Sequence, residues 1–282
     1  MPTKKIAFVT DSTVFLTDEL KAHPDIYVVP IVIISNGEEY EDGIDLTSEK
    51  LYEIIRTEKE VPKTSQPNIG KFKTLYEQLK EEYDQVIAIH VSSKLSGTIS
   101  SSMAGKDAAG FEVEVVDSYS LSFAITSLLE RGLELSEEGK DAKEIANELR
   151  HMTKGQRNLI LLSTLEQLFK GGRMSSTQFV LGNLLKIKPI LSIGPDGELG
   201  LKERIRSEKK ATRRIIELLK ASAEKYSVRR INIANANAIE KAVALKEMLQ
   251  SEMPNVDIRI GEVSSSLAVH AGEGAIAVFW NI

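Results

Sequence analysis

Three short stretches of this 282-residue chain gather side chains able to hold or move a proton. They are Thr64-Ser65-Gln66-Pro67, Ser92-Ser93-Lys94-Leu95-Ser96-Gly97-Thr98 and His270-Ala271-Gly272-Glu273-Gly274. Each falls at the end of an apolar run or in a loop, where α/β sheets usually carry functional groups. In the second stretch, small hydroxyl residues and a glycine lead into a helical pattern. Backbone N–H and side-chain O–H groups turned toward one point there would suit an anion. Plain N-capping by Thr98 with solvated serines is the alternative. Ser and Gln ahead of Pro67 also fit ordinary turn chemistry. His270 precedes glycines that let backbone approach closely, and by itself it reads either as a binding imidazole or as a hydrogen-bonded core residue.

Other chemistries are disfavoured by what the chain lacks. It contains no cysteine, which excludes disulfides, thiolate zinc sites, Fe–S clusters and a Cys nucleophile. His23, His90, His151 and His270 stand far apart without a His-x-His or His-x-x-x-His pair, so no metal is expected. A P-loop and a Gly-x-Gly-x-x-Gly fingerprint are both missing, which weakens nucleotide readings. A serine-dependent acyl hydrolase using Ser96 and His270 is the rival reading. It lacks a Gly-x-Ser-x-Gly elbow and an evident acidic partner for His270. The net charge of −5 argues against a nucleic-acid partner. No apolar stretch approaches the roughly 20 residues of an integral membrane segment, and the N-terminal apolar run is too short for a secretory leader, so a cytoplasmic protein is expected.

The elements that must position these clusters alternate strand, loop and helix. Ile6–Val9, Gln85–Val91 and Val113–Val116 read as buried parallel strands. Ile26–Ile34, interrupted by Pro30, reads as one edge or bulged strand. Thr47 caps a short amphipathic helix, residues 61–70 with their prolines read as loop, and Phe72, Leu75, Tyr76 and Leu79 mark the next helix face. Helices are expected from Thr98 to Ala109, at 119–135 and at 141–153. Beyond the turn at Lys154-Gly155-Gln156 come the strand Leu159–Leu162, an apolar helix at 176–186 and a hairpin of Ile190–Ile193 with Leu199–Ile205. A charged helix at 207–225, the strand Ile231–Ala234, a helix at 238–251 and strands near 257–263 and 275–280 follow. The fold class is therefore α/β in two domains. Residues 1–154 form a mostly parallel sheet with helices on both faces, and 155–282 an α/β domain with a mixed sheet.

Taken together and in order, TDST at 10–13, EDGIDLT at 41–47, TSQP at 64–67, SSKLSGT at 92–98, GGRMS at 171–175 and HAGEGA at 270–275 resemble the DegV family of bacterial lipid-binding proteins. The resemblance implies a non-catalytic carrier that needs no cofactor, binds one long-chain fatty acid and presents it to a separate fatty acid kinase for acyl-phosphate formation. It further implies that Thr64, Ser96 and His270 hold the carboxylate, with Ser65, Gly97, Thr98 and Arg173 in support. The family's histidine segment usually reads His-Thr-Gly-Pro-Gly. Here Ala271 removes a hydroxyl, and Glu273 introduces a carboxylate expected to adjust the charge on His270.

Physically, about fourteen buried methylenes at ~0.8 kcal/mol each would dominate affinity, while two hydroxyls and an imidazolium satisfy the head group. Phe123–Leu129, Leu161–Phe169 and Phe179–Leu185 are expected to line the tail pocket. The segment Lys202–Arg214 forms a basic strip on an acidic protein, either a solvated helix face or a docking surface for an acidic partner centred on Arg204 and Arg206.

Overall fold

A computed structural model describes residues 5–58, 60–174 and 188–282. The chain runs β1 (Ile6–Asp11), α1 (Asp18–Ala22), β2 (Ile26–Val29), β3 (Val32–Ser35), β4 (Glu38–Glu41), α2 (Ser48–Thr57), β5 (Lys63–Ser65), α3 (Ile69–Glu82), β6 (Gln85–His90), α4 (Thr98–Ala109), β7 (Val113–Asp117), α5 (Phe123–Glu137) and α6 (Ala142–Met152). A 3-10 turn at Thr153–Gly155 leads into β8 (Gln156–Leu161), α7 (Glu166–Lys170), β9 (Lys188–Ile193), β10 (Leu199–Ile205), α8 (Glu208–Lys225), β11 (Arg230–Asn235), α9 (Ile239–Glu252), β12 (Asp257–Glu262), α10 (Ser265–Ala271) and β13 (Ile276–Asn281). The helix expected at 176–186 lies outside the described residues.

The strands β2-β1-β6-β7 form an all-parallel sheet. Successive side chains on a strand face opposite ways, and both faces here are apolar. Ala7, Val9, Val86 and Ala88 pack under Phe72, Tyr76 and Leu79 of α3. Ile6, Phe8, Ile87 and Ile89 pack under Ile125, Leu128 and Leu129 of α5 and Ile145 and Leu149 of α6. The second sheet, ordered β10-β9-β8-β13-β11-β12, is mixed: β11 and β12 are parallel and the other pairs antiparallel. Its outer face packs on Ile215 and Leu219 of α8 and Leu245 and Leu249 of α9. Its inner face turns Ala234, Ala277 and Phe279 toward Phe123 and Ala124 of α5. The α/β architecture with one parallel and one mixed sheet is thus as expected from sequence.

Local expectations differ from the structure in four places. Ile26–Val29 and Val32–Ser35 belong to different sheets, not to one bulged strand. Pro30 lies at the switch, where it has no N–H to give either ladder. Within the stretch read as loop, Lys63–Ser65 forms β5, the outer strand of a small antiparallel sheet β4-β3-β5 that sets Thr64 opposite Ile33. The helix expected from residue 119 begins at Phe123, because Tyr119 and Ser122 take left-handed φ values of 49° and 53°. His270, placed by sequence in a turn ahead of a strand, sits in the last turn of the unforeseen α10, which is capped by Ser264.

Candidate functional site

Thr64 and His270 are brought together although they lie 206 residues apart: Thr64 Oγ1 is 2.7 Å from His270 Nε2. The register of β5 fixes Thr64, and a buried polar lock fixes α10. Ser12 Oγ donates to Asp42 Oδ2 (2.8 Å) and accepts from Ile31 N (3.0 Å), while Ser266 N donates to the same Asp42 oxygen (3.2 Å). Burial raises the Asp42 pKa, opposed by its hydrogen bonds to Ser266, Ser12 and Ser264. The TDST and EDGIDLT motifs therefore hold the helix that carries the imidazole. Asp11 works on the neighbouring loop. Its carboxylate accepts from Thr13 N, Thr13 Oγ1 and Val91 N, pinning the backbone just ahead of Ser92.

Ser96 stands at the entry to α4, its Oγ 2.8 Å from Thr98 Oγ1 and accepting from Thr98 N at 3.3 Å. Thr98 is fully buried. A Cβ at Gly97 would lie 3.0 Å from the Gln66 side chain, so the TSQP and SSKLSGT clusters touch at that point. Ser65 Oγ bonds only weakly, at 3.4 Å, to the Gln66 carbonyl. Arg173 is half-buried, donating from Nε to Leu95 O (3.1 Å) and from Nη1 to Gly171 O (2.8 Å). Burial lowers its pKa, and no acidic side chain among the described residues pairs with it.

Burial favours the neutral imidazole at His270 over the imidazolium expected above. Part of its surface opens on a cavity, yet protein encloses it densely enough that burial, reinforced by the Arg173 charge, pushes its pKa down to about 3. The site's positive charge is the guanidinium. His270 Nδ1 is buried without a partner among the described residues. An N–H stranded there would cost more than a lone pair, which places the proton on Nε2 and leaves the Thr64 hydroxyl free to donate elsewhere. A Cβ at Gly171 would collide with His270 Nδ1, so glycine is required at that position. Glu273 does not tune His270. Its carboxylate accepts from Arg56 and from Asn237 Nδ2, and Arg56 holds its pKa below the usual carboxylate range.

Thr64, Ser96, Arg173 and His270 line one cavity of ≈ 80 Å³. A second cavity of ≈ 80 Å³ adjoins it and is lined by apolar side chains and His270. Leu95, Leu121, Leu168, Leu199 and Leu267 are common to both, so the polar cluster stands at the mouth of an apolar space. Ala271 lines the inner cavity with a methyl group. Of the expected tail segments, Leu162 and Leu168 of 161–169 line it. Phe123–Leu129 do not: Phe123 and Ala124 pack at the seam between the sheets and Ile125, Leu128 and Leu129 in the first core. Phe179–Leu185 lie outside the described residues. Sequence missed Leu95, Leu121 and Leu199 because they are single leucines in separate loops and strand ends, without periodicity.

Ser96 and His270 are not hydrogen-bonded to each other, and no carboxylate bonds to His270 among the described residues, so the arrangement is not that of a nucleophile, base and acid. Among the described residues no cluster of His, Asp and Glu is built to hold a metal, and no helix is long and apolar enough to cross a membrane. Arg204 on β10 and Arg206 just past its end are exposed, do not line this cavity and have no acidic partner among the described residues, whereas Arg213 and Arg214 pair with Glu217 and Glu203.

The chain is 36% identical over 280 residues to a DegV domain-containing protein of Halalkalibacterium halodurans, covering 99% of both. Two solved structures share its fold. The fatty acid binding DegV of Bacillus subtilis superposes with a TM-score of 0.88 at 35% identity, covering 99% of each chain. A fatty acid binding DegV family protein of Streptococcus agalactiae superposes with a TM-score of 0.91 at 31% identity, also covering 99% of each. The model of the DegV family, described as uncharacterised proteins, matches from residue 5 to residue 282, and the chain belongs to that family.

Proposed function

We propose that the chain binds one long-chain fatty acid, with Thr64, Ser96, His270 and Arg173 around the carboxylate and the alkyl tail in the apolar cavity behind them. The observation that carries this reading is the half-buried Arg173 without an acidic partner among the described residues, beside a histidine that burial keeps neutral at the mouth of an apolar cavity. A desolvated cation calls for an anion, and an apolar tunnel calls for a hydrocarbon. A fatty acid supplies both. Thr98, Gly97 and Ser65 support the site through the Ser96 and Gln66 contacts. We read the chain as two domains, 1–154 and 155–282, whose facing surfaces enclose the ligand.

Hydrolysis of an acyl ester is the weaker reading, since the Ser96 hydroxyl faces Thr98 and no general base faces Ser96. The carrier instead hands its ligand to a fatty acid kinase. Lys202 and Arg204 on β10 and Arg206 just past its end recur at every second residue, exposed and without ion pairs among the described residues, and offer an acidic partner a row of charges. Mass spectrometry of the protein purified from bacteria tests the first step. Co-purified fatty acid supports the carrier, while an acylated serine or an empty protein that takes up no fatty acid refutes it. The double charge reversal Arg204→Glu/Arg206→Glu tests the second: kinase-dependent acyl-phosphate formation falls while fatty acid affinity stays, and unchanged phosphorylation removes the docking surface.

A further inference from the structure

A cavity of ≈ 320 Å³ opens between α5 and the inner face of the mixed sheet, away from Thr64 and His270. Phe279 lines both this cavity and the apolar one, and with Phe123, 6.3 Å away between ring centroids, it forms the partition. Two amide side chains line the cavity. Asn232 is only 5% exposed, lines the cavity and makes no side-chain hydrogen bond among the described residues. Gln156 donates from Nε2 to Ala124 O at 2.8 Å, but its Oε1 is buried without a partner. The Asn232 amide is the one that meets the cavity and is available to a ligand there, whereas Gln156 Oε1 is sealed from it.

The charges around the cavity do not cancel. Glu130 is shared by Arg230 and Arg259, and Glu134 pairs with Arg131. Arg157 donates from Nη1 only to the carbonyls of Lys154 and Gln156, and neither it nor Arg229 has an acidic partner among the described residues. The acids are thus neutralised and guanidinium groups remain in excess. Arginine forks match carboxylate and phosphate oxygens, and the aromatic side chains of Phe123 and Phe279 suit a flat apolar body. The volume lies at the small end of the range for small-molecule sites.

We infer that this cavity is a second binding site, for a small planar organic anion, with Arg157 and Arg229 on the anionic group and the Asn232 amide on the ring edge. It stands apart from the fatty acid reading and does not depend on it. Trp280, the chain's single tryptophan, borders the cavity through β13 but packs its indole on the outer face against α8, where Nε1 donates to Ser222 Oγ at 2.8 Å, so its emission reports binding across the strand. AMP, a phosphorylated ring, and benzoate, a carboxylated ring, are titrated into the full chain by calorimetry and Trp280 fluorescence, with inorganic phosphate as the bare anion. At least one ring anion binds saturably and shifts Trp280 emission, and Arg157→Gln/Arg229→Gln weakens it about tenfold or more. Asn232→Leu weakens it severalfold without lowering Tm, and this exchange carries the test if the double arginine variant misfolds. The site is overturned if neither ring anion saturates below about 10 mM, if the variants bind like the parent, or if inorganic phosphate binds as tightly as the ring anions.

Discussion

Replacing Arg173 with methionine keeps most of the side-chain volume and deletes the charge that faces the polar cavity. A charge-assisted hydrogen bond contributes about 1.5–3 kcal/mol, so fatty acid affinity at pH 8 should fall about 10- to 100-fold. Stability should hardly move. The variant loses the bonds to Leu95 O and Gly171 O but also the desolvation that lowers the Arg173 pKa, and these opposing changes leave less than about 1 kcal/mol. Without the guanidinium the ligand is accommodated best as the neutral acid. Affinity of the variant should therefore recover as pH falls toward the carboxyl pKa, while that of the parent does not. Titration of delipidated protein with a fluorescent fatty acid at pH 8 and pH 5, alongside urea unfolding, measures both effects. Equal affinity of parent and variant at pH 8, or a loss of binding matched by a loss of stability, would refute the assignment of Arg173 to the carboxylate.

His270 makes a second prediction through its folded-state pKa of about 3 against an ordinary 6.5. Between those values the unfolded chain binds a proton that the folded one refuses, so stability falls as pH drops from 6.5 to 3, by at most about 1.4 kcal/mol per pH unit. His270→Gln should flatten that slope in urea unfolding measured across the window, and an unchanged slope would contradict a neutral His270. Gly171→Ala should drive a Cβ into His270 Nδ1, cost about 1–3 kcal/mol as overpacking does, and weaken fatty acid binding. Wild-type melting and binding in that variant would mean that the approach of Gly171 to the imidazole is dispensable.

The parallel sheet was legible because Ile6–Val9 and Val86–Ile89 are continuous apolar runs, as a strand buried on both faces requires. The small sheet was not. Lys63–Ser65 is three polar residues between Pro62 and Pro67, and only the open edge of β3 makes it a strand. The helix α10 was hidden for a similar reason, being seven residues of mixed character held by Ser264 and by Asp42 from far along the chain. Motif order placed Thr64, Ser96, Arg173 and His270 near one another, but the charge state of His270 depends on how densely protein surrounds it, which no local pattern encodes. The alkyl pocket is the least legible part, since its walls are single side chains drawn from many segments.

The 206-residue separation of Thr64 and His270 has a consequence for biosynthesis. At about 5–20 residues per second, roughly 10–40 seconds pass on the ribosome between the threonine and its imidazole partner. The Thr64 and Ser96 hydroxyls exist for that interval without the histidine. A chain interrupted before α10 emerges would leave the leucines of the apolar cavity without the helix that carries Leu267 and His270, which makes it a client for chaperones.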